Sequence, residues 1–298
     1  MVQSLIQCQE VKTSNVSTMT KAIHIFSTAP FLKHRPKEQF GVDDFELVCT
    51  VLSATMWRAI NGPIKLYTDS MGAEFYAAYN LLDVWDEVDA DTLNKMPSDI
   101  DHEIFWAGAK LFALQHEQAP VAMIDTDLIV WKKLDETLRD SRVTVLHREE
   151  FVECYIDKQY LKVRPGYQFN PLWDWNEYPC NTAFAYFADN QFKQHYTENA
   201  IDFMKGNFDM PMELISQMVF AEQRLLAMCA KQQKVQIDAL IDHPYNPHNE
   251  IFTHLWGAKN MARDDYQQRR DLTGALLNKL QEVSPVHFER VQAILNFK

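Results

Sequence analysis

Short apolar runs alternate with amphipathic stretches through the first half of the chain. The run 22–26 has strand length, and Ser27-Thr28-Ala29-Pro30 after it reads as a loop. Asp43 and Asp44 open a helix, since acidic residues in a first turn suit the helix dipole. Phe45, Val48, Val51, Leu52 and Met56 keep helical spacing, and Asn61-Gly62-Pro63 ends the helix near residue 60. A second strand is predicted over 64–67, stopping at Thr68-Asp69, then a helix over 73–82 and a short strand within 84–88. The acidic stretch 89–101 predicts a loop, 102–118 a helix and 121–124 a buried strand. This alternation predicts an α/β fold with a mixed, largely parallel sheet flanked by helices.

The second half is less regular. Strands are expected over 142–146 and 181–187, helices over 189–204 and 213–231, a turn-rich loop over 242–250 and a helical tail from about 263. Residues 155–178 are dense in aromatics and poor in periodicity. The polar stretch 1–20 reads as a frayed tail. With no internal repeat and no clean linker, 21–298 is expected to be one domain.

Composition narrows the function classes. Of 298 residues, 47% are hydrophobic, enough for a sizeable core. The formal net charge is −12 and no Lys/Arg run interrupts it, which argues against nucleic-acid partners. The five cysteines are scattered and never form C-x-x-C, so neither a disulfide framework nor a zinc site is expected. That suits a reducing, cytoplasmic setting. The start of the chain lacks the apolar core of a signal peptide, and no apolar stretch is long enough to span a membrane. A peripheral membrane contact stays open, without a basic amphipathic segment to support it. The oligomeric state is not legible.

Val121-Ala122-Met123-Ile124 runs into Asp125-Thr126-Asp127, and Leu128-Ile129-Val130 resumes the apolar run. Asp favours turns, so a plain strand end is the bland reading. Yet two carboxylates interrupting a buried run are costly unless a cation neutralises them. Magnesium and manganese take such oxygen ligands together with substrate phosphates. Downstream lies His254-Leu255-Trp256-Gly257-Ala258-Lys259. Imidazole ligates borderline metals, glycine admits a phosphate close to the backbone, and lysine pairs with its charge. The competing reading is a core histidine beside a turn glycine and a solvated lysine.

Together, Asp-x-Asp and the later His-x-x-Gly-x-x-Lys resemble the GT-A fold glycosyltransferases, in particular the retaining glycogenin-like and lipopolysaccharide-galactosyltransferase-like group. The resemblance implies a GT-A (Rossmann-like) fold. It implies Mn2+ or Mg2+ on Asp125, Asp127 and His254, and a nucleoside-diphosphate sugar, such as a UDP-sugar, held by Gly257 and Lys259. Its acceptor is a glycan or other hydroxyl, as in polysaccharide biosynthesis, and its outcome is retention. It also implies a nucleotide-binding half over 21–135, an acceptor-side half over 136–262 and a helical tail over 263–298.

Further positions follow the same pattern. Lys110, four residues after Trp106, stands where that group carries a basic residue near the donor. Asn181-Thr182-Ala183 resembles its Asn-Thr-Gly strand, with Ala183 in place of the glycine, and Glu222-Gln223 resembles an acidic-Gln pair near the acceptor. Catalytic roles are thereby implied for Asp127, Asn181 and Glu222. Ser27, Thr28 and Asp69, at the carboxyl ends of strands where such sheets collect ligands, are expected nucleotide contacts. Trp173 and Trp175, with Tyr167, Phe169 and Tyr178, could stack an acceptor sugar or pack a long loop onto the core. His147 and Glu149 follow a strand and could line the site.

Three rivals are weaker. A haloacid-dehalogenase-type phosphatase wants Thr or Val where Ile129 stands. A nucleotidyltransferase wants a Gly-rich basic loop after the first strand, and 27–34 has no glycine. A catalytically silent GT-A-like domain that binds a sugar or a partner would have no need of intact Asp125, Asp127, His254 and Lys259.

Overall fold

The computed structural model describes residues 19–35, 37, 38, 40–243 and 249–296. The tail expected over 1–20 lies outside them apart from Met19 and Thr20, as does most of the expected 242–250 loop.

β1 (Ala22–Phe26) leads into α1 (Ala29–His34), a short helix where a loop was expected. Pro30 lies in its first turn, where a missing N–H costs no helical bond. α2 (Asp44–Ile60) follows and ends at Asn61-Gly62. Gly62 has φ +147°, and a Cβ there would meet the Thr20 carbonyl oxygen at 2.8 Å, so the turn requires glycine. After β2 (Ile64–Thr68), Asp69 accepts a bond from the Gly72 N–H. This N-cap starts α3 (Ser70–Ala78) three residues before the expected position. β3 (Glu87–Asp89) is next.

The helix expected over 102–118 forms only as α4 (Gly108–His116), with turns before it. Then come β4 (Val121–Ile124), β5 (Leu128–Val130), α5 (Asp135–Leu138) and β6 (Val143–Arg148). β7 (Cys180–Phe187) and α6 (Asn190–Met204) fall where expected. The helix expected over 213–231 is broken into α7 (Leu214–Val219), a π turn at Phe220–Arg224 and α8 (Leu225–Gln233). β8 (Asp238–Ala239) and β9 (Phe252–His254) precede α9 (Trp256–Asp264), α10 (Tyr266–Val283) and α11 (Pro285–Asn296).

The main sheet has the order β3-β2-β1-β4-β7-β6-β8. β7 is antiparallel to both neighbours and every other pair is parallel, so the sheet is mixed and largely parallel, as expected. Period-2 alternation assigns its two faces. Ile23, Tyr67, Val121 and Met123 point into a core with α4, α6 and α8. Ala22, Leu66, Ala122 and Ile124 point into another with α2. α10 and α11 join that second core through Leu276, Leu280, Val291 and Ile294, so the helical tail is part of the packing. No described helix is long and apolar enough to cross a membrane.

This topology gathers one chemically distinct edge. The carboxyl ends of β1, β2, β4 and β6 release Ser27, Asp69, Asp125 and Glu149, and the antiparallel β7 begins there with Cys180-Asn181.

A buried chain of hydrogen bonds ties the edge of the sheet to β5. Trp85 Nε1 donates to His24 Nδ1 at 3.3 Å. Indole nitrogen only donates, so the His24 proton sits on Nε2 and faces Ser53 Oγ at 3.1 Å. Ser53 in turn donates to the Leu128 carbonyl. Burial holds the His24 pKa down to about 3, against the pull of Asp127.

Two expectations follow. Leu280→Ala empties a fully buried position between α10 and α2 and should cost roughly 2–5 kcal/mol, read as a lowered thermal midpoint. Between pH 6.5 and about 3, unfolded His24 binds a proton that the folded chain refuses, so this residue's share of stability falls as pH falls through that window. His24→Gln should flatten the midpoint-versus-pH curve over the same range; an unchanged slope would contradict the neutral assignment.

Candidate active site

Asp125 and Asp127 occupy the turn between β4 and β5. The Asp125 N–H donates to the Ala183 carbonyl at 2.8 Å, and the Leu128 N–H returns to the Asp125 carbonyl at 3.0 Å. β5 then leaves the main sheet and pairs antiparallel with β9, setting Leu128 opposite His254. The Leu255 N–H donates to the Asp127 carbonyl at 3.0 Å, which fastens the start of α9 to the same turn. Ligand atoms of Asp125, Asp127 and His254 therefore lie within 4.8 Å of one another, each half-buried.

Two lysines stand among these carboxylates. Lys259 Nζ lies 2.7 Å from Asp127 Oδ2, and His254 Nε2 lies 3.6 Å from Asp127 Oδ1. Lys110 Nζ lies 2.6 Å from Asp125 Oδ1 and also pairs with Glu222. Glu222 accepts from Thr182 Oγ1 at 2.8 Å. It sits in the π turn, and its carbonyl takes the Tyr196 hydroxyl at 2.6 Å. A π turn shifts side chains relative to a regular helix and often marks a functional position.

Burial would raise the Asp127 pKa, but His254 and Lys259 outweigh it and hold the carboxyl well below its usual range. Burial raises that of Asp125; the charges of Asp127 and Glu222 add to it, while Lys110 opposes. Burial would lower the Lys110 pKa, yet Asp125 and Glu222 drive it above the ordinary lysine value. Two carboxylates and one imidazole at this spacing fit a divalent cation, with the nitrogen donor suiting manganese better than magnesium.

A family described as "Family of unknown function (DUF6734)" matches residues 32–293. The chain belongs to that family. No curated protein matches it. Among solved structures, the DUF6734 chain is similar to mouse xyloside xylosyltransferase 1, with 9% identity, 74% of this chain and 84% of that one covered, and a TM-score of 0.40. It is also similar to the PaToxG glycosyltransferase at 10% identity, with 92% and 87% covered and a TM-score of 0.41. A third is 4-diphosphocytidyl-2C-methyl-D-erythritol synthase from Anaerococcus prevotii, at 13% identity, 78% and 91% covered and a TM-score of 0.35.

The remaining expected residues fall into separate groups. Ser27, Thr28 and Asp69 border a cavity of about 260 Å³ with Leu93, Asn94 and His102. Thr28 is buried, and its N–H and hydroxyl donate to Asp69 at 2.6 and 2.9 Å. Asp69 also caps α3, so these two residues form a rigid rim. Gly257 lies in the first turn of α9, and a Cβ there would meet nothing within 4 Å. The fold itself does not need this glycine. Asn181 donates to Glu149 at 2.8 Å and accepts from the Ala183 N–H at 3.1 Å, beside buried His147. It is not joined to the metal-type cluster by any described hydrogen bond.

The structure decides between the two readings of the aromatic segment. Trp173 is buried, and Tyr167, Phe169 and Trp175 pack against Phe203 and Phe220 in the core. Only Tyr178, 55% exposed and packed on Phe151, faces outward, so the rings do not form a sugar-stacking wall. Core packing won because the 149–179 stretch has no regular elements and covers itself with its own rings. Sequence reasoning missed Tyr196 and His102. Neither stands in a motif, and only the π turn and the cavity give them a place.

His254→Ala should weaken manganese binding by about tenfold or more with the fold retained. Manganese titration calorimetry measures it, and unchanged affinity would remove His254 from the ligand set.

Proposed function

We propose that this chain is a metal-dependent GT-A glycosyltransferase, transferring a sugar from a nucleoside-diphosphate sugar, UDP-sugar first, to a hydroxyl of a glycan acceptor with retention. The observation that carries the reading is the convergence of Asp125, Asp127 and His254 beside Lys259 at the start of α9. A dication bound there would supply Lewis-acid neutralisation of the leaving diphosphate. Asp125, Asp127 and His254 would hold it. Lys259 and the open backbone at Gly257 would meet the diphosphate, aided by the unpaired N–H groups of a helix start. The rim at Ser27, Thr28 and Asp69 would border the nucleoside.

Lys110 would hold Asp125 and Glu222 in place, with Glu222 and Asn181 beside the donor sugar. No carboxylate pair flanking an anomeric carbon in glycosidase fashion is needed. In a retaining transfer the acceptor oxygen attacks on the face of the leaving group, and the departing phosphate oxygen takes its proton. A cytoplasmic location and polysaccharide synthesis belong to the same proposal, and the described cysteines, all free, suit the former.

Thermal unfolding with a panel of nucleoside diphosphates and triphosphates, with and without manganese, tests the reading. A ligand at about 100 times its dissociation constant adds ~2.7 kcal/mol, a rise of several degrees. The expected result is a shift that requires one nucleotide and the metal together, and that Asp127→Ala abolishes while leaving the fold intact. A shift confined to nucleoside triphosphates would favour nucleotidyl transfer, and no shift at all would favour a silent domain.

A further inference from the structure

The two lysines of the site differ in freedom. Lys110 is enclosed and shared between Asp125 and Glu222, so it is a fixed counter-ion. Lys259 has a side chain 30% exposed, and among the described residues Asp127 is the one carboxylate within ion-pairing distance of it. Its position follows from the backbone. The Asp127 carbonyl holds the Leu255 N–H, and the Lys259 N–H closes the first turn of α9 onto the Leu255 carbonyl at 2.9 Å. One turn into the helix, the ammonium therefore falls onto Asp127 Oδ2.

We infer that Lys259 is a built-in competitor of the divalent cation: it occupies Asp127 until a diphosphate draws it away, so that cation and diphosphate strengthen each other's binding. The inference rests on the proposed cation site of Asp125, Asp127 and His254. Without diphosphate, an entering dication meets a like charge already paired to one of its ligands. A diphosphate at the start of α9 offers that ammonium a new partner, and the long, flexible lysine stem lets it move. Lysine transfer lowers the cost of the cation, and by linkage the cation strengthens the diphosphate equally. The device makes a loaded metal without donor unfavourable, which guards the site against idle cation binding.

Two measurements on the full chain avoid the complex that metal and diphosphate form in solution. In the first, manganese alone is titrated into native protein, Lys259→Met and Lys259→Arg. Lys259→Met should bind manganese about tenfold more tightly than native, within the usual range of site-to-site coupling, and Lys259→Arg, which keeps the charge, should resemble native. In the second, inorganic pyrophosphate is titrated in the presence of EDTA. Asp127→Asn, which releases the lysine, should bind it several-fold more tightly than native. Equal or weaker manganese binding by Lys259→Met, or unchanged pyrophosphate binding by Asp127→Asn, overturns the competition and leaves the cation site standing. Absence of manganese binding by native and variants alike overturns the cation site, and the competition with it.

Discussion

Three carboxylates, Asp125, Asp127 and Glu222, meet at one edge of the sheet, and two ammonium groups stand among them and offset their charge. An unpaired buried carboxylate is among the costliest groups a fold can hold. Lys110 offsets the inner pair from α4, and Lys259 offsets the outer one from α9. Each lysine has a partner far away in sequence: 112 residues separate Lys110 from Glu222, and 132 separate Lys259 from Asp127. Balancing this charge therefore ties the early strands to the late helices.

The rest of the architecture delivers these groups to that edge. The parallel strands release their polar ends on one side. The antiparallel β7 brings its beginning, Asn181-Thr182, to the same side and gives Asp125 a backbone partner in Ala183. The small β5–β9 sheet carries His254 to Asp127, and the π turn brings Glu222 to Lys110. Behind them, the Trp85–His24–Ser53 chain anchors the Leu128 carbonyl next to Asp127. Arg224, fully enclosed, donates to the Ile156 and Trp175 carbonyls at 2.7 Å each and holds the irregular 149–179 stretch against α8.

Much of the edge was legible because its signals are local. An apolar run ending in Asp-x-Asp states where a strand stops and which groups it stops at. Asn61-Gly62-Pro63 states where α2 must end. Element starts were less legible: the helix expected from residue 102 starts only at Gly108, and α3 starts early because Asp69 caps it. The aromatic segment allowed two readings, and it turned inward to cover a loop without regular elements.

The sequence by itself determined the alternating strands and helices, the sheet class, and the two motifs whose residue types suit a cation and a diphosphate. These depend on neighbours within a few positions, and periodicity records them. Only the tertiary structure decided that His254 faces Asp127, that Lys259 rests on the same carboxylate, that Lys110 joins Asp125 to Glu222, and that Tyr196 secures the π turn. Those contacts arise from strand pairing and helix docking, and those of His254 and Lys259 with Asp127 and of Lys110 with Glu222 join segments more than a hundred residues apart. No pattern within a short window encodes such distances, because they are set by burying both faces of one sheet at once.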